Sequence, residues 1–343
     1  MLKSAHKCIA SLFVSRDMLS KIKVLPLAAE SLGTRSMCTF VETKDIRILL
    51  DAGVSLGPLR FRLPPHPREY EAIRKSRERI AEKASEADVV TISHYHFDHH
   101  TPSFTDWASN WSSSEIAREI YQNKQVLIKN YKENVNFSQR RRGWVFVKTG
   151  GKHAKKLEIA DGKTFQFGDT SLRFSQPVSH GSGDASLGWV LITTITCDDE
   201  KVIFAPDVQG PMSNSTAKTI IEEEPQLLMI GGPPLYLAGF RVTDNEIIEA
   251  MEHLKRIVAV VPSVILEHHL LRAENWREQS KSIFETARET GHRLVSAAEF
   301  LGEKENLLEA RRKQLFDMEP PGEGFTRWTK ISVDARKLVK PPV

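Results

Sequence analysis

Short apolar runs recur along the chain, and each is followed within two residues by a histidine or an aspartate. Their β-branched and apolar residues favour buried strands. The runs cover residues 46–50, 87–92, 171–179, 201–206 and 260–267. A different pattern, with mixed Glu and Arg at helical spacing, predicts an amphipathic surface helix over 68–84. The chain therefore joins buried strands to polar loops whose residues can carry chemistry.

The loop after the second run holds the densest set of metal-ligand residues. Positions 93–100 spell S-H-Y-H-F-D-H-H. In a turning loop, His94 and His96 can both direct imidazole nitrogens at one cation, while Asp98 and His99 can face a second one. Strand ends are also where open α/β sheets usually place their sites. The loop predicts a two-metal site; the alternative is a polar surface loop that is merely rich in histidine.

A two-metal site needs more ligands than one loop supplies, and the other strand ends provide them. His180 can be the third ligand of the first cation, and the carboxylate of Asp207 can bridge two cations. His268 or His269 can complete the second cation. Taken singly, each residue also fits an ordinary role, because a strand-end histidine is commonly hydrogen-bonded and an aspartate before a loop commonly forms a turn.

The order of these strands and ligands resembles that of the metallo-β-lactamase superfamily over roughly residues 22–300. The resemblance implies an α/β fold, a four-layer αββα sandwich, and two zinc ions, with iron or manganese as other metals. It also implies that Asp51 braces the metal loop, where the residues alone leave a simple turn as an equal alternative. The implied ligands are His94, His96 and His180 for one ion, Asp98, His99 and His268 for the other, and Asp207 with a hydroxide between them.

Within that superfamily, the chain resembles a group of uncharacterised archaeal proteins that are predicted to be metal-dependent hydrolases. The likeness rests on residues 27–37, 93–100 and 268–272. The doubled histidines depart from the commonest superfamily pattern, in which one histidine is expected at each place. We favour His99 and His268 as ligands. His100 and His269 are then neighbours of the ligands that can donate a proton.

Three further side chains are candidates for contacting the substrate. Arg35 and Arg272 can hold an anion through bidentate hydrogen bonds, or can pair with a carboxylate such as Glu267. Tyr236 lies in a Gly- and Pro-rich turn after an apolar run. It is a candidate proton donor, and an ordinary packed loop is the alternative for this turn.

The length and composition of the chain favour one large domain. With 343 residues and 40% hydrophobic content, the chain can bury a substantial core. We expect an unstructured extension over 1–21, a metallo-β-lactamase-fold domain over 22–302, and a charged helix with a poorly ordered tail over 303–343. No apolar run reaches the roughly 18 residues of a membrane span. Three scattered cysteines argue against a disulfide framework, which favours a reducing cytoplasm.

The position of the charged residues along the chain is more informative about possible partners than the net charge. The net charge of +4 is too small to indicate a nucleic-acid partner by itself. Residues 124–156, however, hold ten Lys and Arg against the single acid Glu133, with aromatic residues interleaved. Such a stretch can grip phosphates and stack bases. A solvated loop and basic helix face is the alternative, so nucleic acid stays an open partner class.

These features together predict a metal-dependent hydrolase. Asp98 would orient the hydroxide, and His269, Tyr236 or a metal-bound water would protonate the leaving group. The expected substrate is a phosphodiester, an ester or thioester, or a lactone. The resemblance suggests the phosphodiesterase and thioesterase branches, because Asp207 stands where the β-lactam branch usually has a cysteine. The alternatives are a small nuclease that uses residues 124–156, an iron-dependent redox enzyme of the same fold, and a non-catalytic scaffold.

Overall fold

The computed structural model describes residues 19–181 and 187–343. Residues 1–18, most of the predicted N-terminal extension, lie outside the described residues. Ser20 and Lys21 also belong to that prediction, but their backbone N–H groups donate to the Glu200 carboxylate at 2.6 and 2.9 Å. These two residues are therefore fixed to the body of the protein.

Fifteen strands form in the described residues, and all five apolar runs predicted as strands contain at least one of them. The strands are β1 (Lys23–Pro26), β2 (Thr39–Glu42), β3 (Arg47–Leu50), β4 (Val89–Ile92), β5 (Gln125–Ile128), β6 (Lys156–Ile159), β7 (Thr164–Phe167), β8 (Thr170–Phe174), β9 (Val178–Ser179), β10 (Trp189–Val190), β11 (Thr193–Cys197), β12 (Glu200–Ala205), β13 (Leu227–Gly231), β14 (Ser263–Glu267) and β15 (Arg293–Val295).

Eleven α-helices lie between or after these strands in the same residues. They are α1 (Pro67–Glu86), α2 (Ser114–Tyr121), α3 (Phe137–Lys148), α4 (Asn214–Glu222), α5 (Asp244–Val258), α6 (Trp276–Gln279), α7 (Lys281–Thr290), α8 (Ala297–Phe300), α9 (Arg312–Met318), α10 (Glu323–Lys330) and α11 (Val333–Leu338). The predicted helix over 68–84 lies within α1. It starts at Pro67 because His66 and Glu69 form a reciprocal capping box in front of it.

Two large sheets form the centre of the molecule. The first has the order β1-β2-β3-β4-β5-β6 and is parallel from β3 to β6. The second has the order β15-β14-β13-β12-β11-β8-β7 and is parallel from β12 to β15. β9 and β10 form a small separate pair. The parallel parts of both sheets direct the carboxyl ends of their strands to common edges, where sites are usually built.

Successive residues of each strand enter different cores, which shows that both sheets are covered on two faces. In β3, Leu50 lies in the core between the sheets, while Leu49 lies in an outer core with α1 and α2. In β14, Ile265 lies between the sheets, while Leu266 lies in an outer core with α5 and α7. The layers are therefore helix, sheet, sheet and helix. The predicted four-layer αββα sandwich is confirmed.

The C-terminal segment, residues 303–343, is packed, where the sequence predicts a charged helix and a poorly ordered tail. Its helices α9, α10 and α11 dock on the outer layer. Phe325 and Trp328 enter the core of the first sheet, with ring centroids 5.7 and 5.4 Å from that of Tyr70. Arg312 is buried and donates to both oxygens of Glu69. A few large aromatic side chains and a buried ion pair thus hold a segment whose average composition is highly charged. Among the described residues, no helix has the length and apolar character needed to cross a membrane.

Candidate metal centre

The ligand side chains predicted from the sequence lie at the carboxyl ends of strands in both large sheets. Asp51 directly follows β3, and the loop 93–100 follows β4, its parallel neighbour. In the second sheet, Asp207 follows β12 and His268 follows β14, while His180 follows β9 of the small pair. Two sheet edges meet here, so residues far apart in sequence come within reach of one another.

Asp207 is almost fully buried and lies at the centre of the cluster. Four imidazole nitrogens surround its Oδ2 oxygen. They are Nε2 of His180 at 2.9 Å, Nε2 of His94 at 3.0 Å, Nε2 of His99 at 3.3 Å and Nδ1 of His96 at 3.5 Å. The structure thus brings the three predicted ligands of the first ion together with the predicted bridging carboxylate.

A second group of side chains lies around the other oxygen of Asp207. Oδ1 is 2.8 Å from Nε2 of His268 and 3.0 Å from Nε2 of His269. Nε2 of His268 is also 3.4 Å from Nε2 of His99 and 3.8 Å from a carboxylate oxygen of Asp98. The predicted ligands of the second ion are therefore together as well, and both members of the doubled histidine pair face the same carboxylate.

This donor set fits divalent cations. Nε2 of His94 and Oδ1 of Asp207 are buried and make no hydrogen bond, although ionisable atoms crowd around them. Potential ligand atoms lie within 4.8 Å of one another in the set of His94, His96, His180 and Asp207, and likewise in the set of Asp98, His99 and His268. Imidazole nitrogens and carboxylate oxygens are common ligands of zinc, iron and manganese, and buried polar atoms without partners are costly. The His/Asp cluster can therefore bind metal.

Asp51 holds the loop that carries four of these ligands. Its carboxylate accepts hydrogen bonds from the backbone N–H of Ser93 at 2.8 Å and from the Ser93 hydroxyl. It also contacts Nδ1 of His99 at 2.9 Å, and the same hydroxyl lies 3.0 Å from Nδ1 of His94. The position is the one that a bracing residue would occupy, since it orients two imidazole rings without facing Asp207 itself.

His100, the other half of the first doubled pair, does not face Asp207. Its Nδ1 lies 2.9 Å from the carbonyl oxygen of His96, and its ring packs against Phe97 and Phe146. Burial lowers its pKa to about 3. His100 thus supports the back of the metal loop and is not placed to protonate a substrate there.

A side chain at Gly53 would collide with this loop, since its Cβ would lie 2.2 Å from the backbone nitrogen of His100.

Sequence reasoning missed Glu30, which is buried beside the second group. Its Oε2 lies 3.1 Å from Nδ1 of His268, and its Oε1 accepts from Nε and Nη2 of Arg272 at 2.9 and 2.7 Å. Arg272 therefore pairs with Glu30, where the sequence suggested a substrate anion or Glu267. Glu267 instead accepts from the backbone N–H of Ala297 at 2.8 Å. Glu30 lies in the segment 27–37, on which the archaeal resemblance partly rests. That resemblance is the one feature of the sequence that could have indicated Glu30.

The other predicted substrate-binding residues are also engaged with protein groups. Arg35 donates to both oxygens of Glu309 at 2.6 and 2.5 Å, so its guanidinium is already paired. The hydroxyl of Tyr236 lies 3.1 Å from Nδ1 of His269, and Nη1 of Arg272 donates to that hydroxyl at 3.1 Å. Tyr236 is therefore within reach of the cluster through His269, whereas Arg35 is tied to the C-terminal segment.

Three residues of the cluster hold a left-handed backbone conformation. The φ angles are 47° for Asp51, 53° for Asp207 and 67° for His268. Aspartate and histidine adopt this region more readily than most residues, but it still carries a conformational cost. The chain turns sharply at these strand ends, which directs the three side chains into the gap between the sheets.

Burial and neighbouring carboxylates act against one another on the histidine pKa values. Burial lowers the pKa of His268, but Asp207 and Glu30 raise it to about 9 overall. Asp207 likewise raises the pKa of His99 against the effect of burial. In His94, burial together with the nearby imidazoles lowers the pKa. Protons and metal ions compete for the same nitrogens, so metal uptake should release protons and weaken as the pH falls.

The cluster opens into a cleft of about 1080 Å³. His96, Asp98 and Asp207 form its floor, and Arg142 of α3 lies on its wall. Leu187 contributes an apolar surface. The cleft is large enough for a small organic substrate or a short segment of a polymer.

The basic stretch 124–156 is only partly available to a ligand. Lys129 is buried, donates to Asp161 at 2.8 Å, and so has a structural role. Phe146 is buried as well, whereas Phe137 and Trp144 are exposed. The buried members of this stretch cannot contact a ligand, so the nucleic-acid surface predicted from the sequence would depend on its exposed residues alone.

No model of a protein family matches the sequence. Curated proteins do match it over most of its length. A protein of Methanopyrus kandleri is 44% identical over 294 residues, 86% of this chain and 99% of that protein. A protein of Korarchaeum cryptofilum is 38% identical over 310 residues, 90% of this chain and 99% of that protein. A protein of Methanocaldococcus jannaschii is 43% identical over 295 residues, 86% of this chain and 96% of that protein.

All three bear the name UPF0282 protein. The chain belongs to the UPF0282 family. The predicted resemblance to a group of archaeal proteins is thereby confirmed, and the UPF0282 name itself states no activity.

Solved structures resemble this UPF0282 protein more distantly. The metallo-beta-lactamase fold protein YhfI from Bacillus subtilis is 14% identical, with a TM-score of 0.47, over 81% of this chain and 96% of that one. CmlA from Streptomyces venezuelae, a diiron β-hydroxylase, is 12% identical, with a TM-score of 0.45, over 82% of this chain and 53% of that one. The fold of this chain is assigned from its own two sheets and four layers. Likeness this weak says nothing about activity.

Proposed function

We propose that this UPF0282 protein is a metal-dependent hydrolase with two metal ions, zinc in the first instance. One observation carries the proposal: a buried carboxylate, Asp207, with imidazole nitrogens around both of its oxygens, at the floor of a large cleft. The proposed ligands are His94, His96 and His180 for one ion and Asp98, His99 and His268 for the other, with Asp207 between them.

The hydrogen bonds on the far side of each ring support this choice of ligands. Nδ1 of His268 lies 3.1 Å from the Glu30 carboxylate, which can only accept, and 3.5 Å from Nη2 of Arg272; the shorter contact fixes the hydrogen on Nδ1 and leaves Nε2 for a metal. Nδ1 of His99 faces Asp51 in the same way. Acceptors behind metal-binding histidines fix the ring tautomer and raise its basicity.

His269 has the opposite arrangement. Nη1 of Arg272 lies 3.0 Å from Nδ1 of His269, and a guanidinium can only donate. The neutral His269 ring therefore carries its hydrogen on Nε2, the nitrogen that faces Asp207 at 3.0 Å. A nitrogen with a hydrogen attached cannot bind a metal. We therefore assign His268 as the ligand and His269 as a hydrogen-bond donor beside it.

Different residues of the chain would then have different roles in ester hydrolysis. Two divalent cations supply an acidified water and stabilise negative charge that develops on the substrate. Asp98 accepts a hydrogen bond from the attacking water and orients it. In the reaction one ester bond to phosphorus or carbon breaks, the oxygen of water takes its place, and the leaving oxygen receives a proton. The attacking water supplies that proton, and His269, held in position by Tyr236 and Arg272, donates a hydrogen bond to the developing negative charge.

Metal analysis and hydrolysis, measured together, test the proposal. We expect about two zinc ions per full-length chain, and hydrolysis of bis-p-nitrophenyl phosphate or p-nitrophenyl acetate by the loaded protein. His94→Ala should lose metal and fall at least 100-fold in kcat/KM, because it removes a ligand. His292→Ala is the matched control, since His292 bonds to the Val258 carbonyl and lies outside the cluster.

Three results would count against the proposal. A chain that binds no metal would refute the metal site, and a His94→Ala variant as active as wild type would refute its role. Iron in place of zinc, with oxygen-dependent chemistry in place of hydrolysis, would favour the redox alternative.

A further inference from the structure

Arg142 of α3 is a partly buried cation beside the cluster without an anionic partner. Among residues 19–181 and 187–343, no carboxylate oxygen lies within 4.0 Å of its guanidinium, and its one hydrogen bond, from Nη1 to the Tyr95 carbonyl, is long at 3.4 Å. Arg35 and Arg272, which line the same cleft, both pair with glutamates. Burying a cation without a partner costs free energy. Arg142 is thus available to bind an anion in a way that Arg35 and Arg272 are not, while Arg241, which also lines the cleft, is solvent-exposed.

Arg142 lies in the part of the cleft that holds the proposed ligands His96 and Asp98. Its Cζ lies 4.5 Å from the centroid of the Phe97 ring, and Phe97 stands between the proposed ligands His96 and Asp98 in the sequence. All four residues line the cleft. The electrostatic influence of Asp98 also reaches Arg142, where it opposes the lowering of the arginine pKa by burial.

Glycine is needed for α3 to come this close. A Cβ atom at Gly143, the residue after Arg142, would lie 2.7 Å from the ring of Tyr95 and 2.5 Å from the side chain of Tyr131. Tyr95 is itself in the metal loop and is fully buried. The helix that carries Arg142 is therefore packed directly against the loop that carries the ligands.

An aromatic pocket of about 370 Å³ adjoins this position. Phe97, Phe104 and Arg142 line both the pocket and the main cleft, so the two spaces are neighbours. The rings of Phe97 and Phe104 meet edge to face with centroids 5.4 Å apart, and His100 packs on Phe97 from behind. Phe104 is 41% exposed, which leaves an apolar ring surface available to a ligand.

We infer that the substrate of this site is a phosphodiester with an aromatic or similarly flat apolar group. The inference rests on the proposed hydrolase function. Arg142 binds a non-reacting phosphoryl oxygen, for which a planar guanidinium with several donors is well suited. The aromatic pocket takes the flat group, which stacks against the exposed ring of Phe104. A neutral ester or lactone would leave Arg142 without a partner.

The first test compares an anionic and a neutral substrate with the same leaving group. In the zinc-loaded full chain, Arg142→Gln should reduce kcat/KM for bis-p-nitrophenyl phosphate roughly 10- to 100-fold, the size expected for a lost charged hydrogen bond. Hydrolysis of p-nitrophenyl acetate should change less than about twofold. Arg142→Lys should recover part of the loss. Arg140→Gln is the matched control, because Arg140 is an exposed arginine of the same helix that does not line the cleft.

The second test measures binding without turnover. By calorimetry, phenyl phosphate should bind the wild type more tightly than methyl phosphate does. Arg142→Gln should weaken both ligands about equally, by at least tenfold, because it removes the contact to the phosphate. Phe104→Ala should instead bring the two affinities close together, because it removes a wall of the aromatic pocket.

The outcomes separate this inference from the proposed function. Equal binding of phenyl phosphate by wild type and Arg142→Gln, or no binding by wild type, would overturn the substrate assignment. Continued hydrolysis of p-nitrophenyl acetate would in that case leave the hydrolase standing. If the loaded wild type hydrolyses neither ester, the proposed function fails, and the calorimetric comparison alone decides whether Arg142 forms an anion subsite.

Discussion

Asp51 directly follows β3, and its side chain holds the loop 93–100 that follows the neighbouring strand β4. Its carboxylate fixes Ser93 and His99. We expect Asp51→Asn to lower metal affinity roughly 10- to 100-fold, because an amide cannot hold the His99 ring with the strength or polarity of a carboxylate. Competition with a zinc-binding dye measures this affinity. Asparagine also tolerates the left-handed backbone at this position, where φ is 47°, so the change tests the charge and not the turn.

The control for this prediction is Asp161→Asn. Asp161 also accepts from a buried cation, Lys129, but it contacts no histidine of the cluster. The Asp161→Asn substitution should lower the free energy of unfolding and leave metal affinity unchanged. Equal metal affinities for wild type and Asp51→Asn would show that the loop holds its shape without the brace.

Residue types and strand ends indicated all seven of the proposed ligands as candidates, because metal sites need histidine and aspartate where strands end. They could not predict Glu30, since a lone glutamate outside any strand or repeated pattern carries no signal of its own. They also could not separate His268 from His269. That distinction depends on whether an acceptor or a donor lies behind each ring, and both Glu30 and Arg272 reach those rings only through the tertiary fold.

At the scale of elements, the C-terminal segment is fastened to the side of the site. Glu309 pairs with Arg35, and Lys337 of α11 lines the cleft. The apolar runs predicted the strands well, because a buried strand must be apolar along its length. The docking of α9 to α11 was not predicted, because two buried aromatic residues in a charged segment are too few to give a periodic signal.

Because Glu309 is paired with Arg35, the stability that this segment contributes depends on pH. Burial alone would raise the pKa of Glu309, but Arg35 lowers it from 4.5 to about 2. A lowered carboxyl pKa adds stability that is fully present above pH 4.5 and is lost as the pH falls towards 2. The shift corresponds to roughly 3 kcal/mol. We expect Glu309→Gln to lower the free energy of unfolding by about that amount at pH 7, and by almost nothing near pH 2.

Urea denaturation at a series of pH values measures this difference. Glu319→Gln is the control, because Glu319 pairs with Arg68 on the exposed surface of the same segment and should change stability far less. A difference between wild type and Glu309→Gln that stays constant from pH 7 to pH 2 would mean that the ion pair is not its source.

At the scale of the whole molecule, the proposed ligands tie the two large sheets together. His94, His96 and His99 come from the first sheet, while Asp207 and His268 come from the second. The sheets already share an apolar core, which the alternating strand patterns imply. A bound metal would add a polar connection at one edge of that core, between residues more than a hundred positions apart.

Metal should therefore stabilise the fold as a unit. A ligand at 100 times its dissociation constant adds about 2.7 kcal/mol, which for a chain of this size corresponds to a rise of roughly 4 °C in Tm. We expect added zinc to raise Tm by this order and a chelator to reverse it, as measured by differential scanning calorimetry. His94→Ala removes a ligand from the first sheet and His268→Ala one from the second, so each should abolish most of the rise. If only the variants of one sheet lost the effect, the metal would be held by that sheet alone, and the two-sheet centre argued from the Asp207 cluster would be wrong.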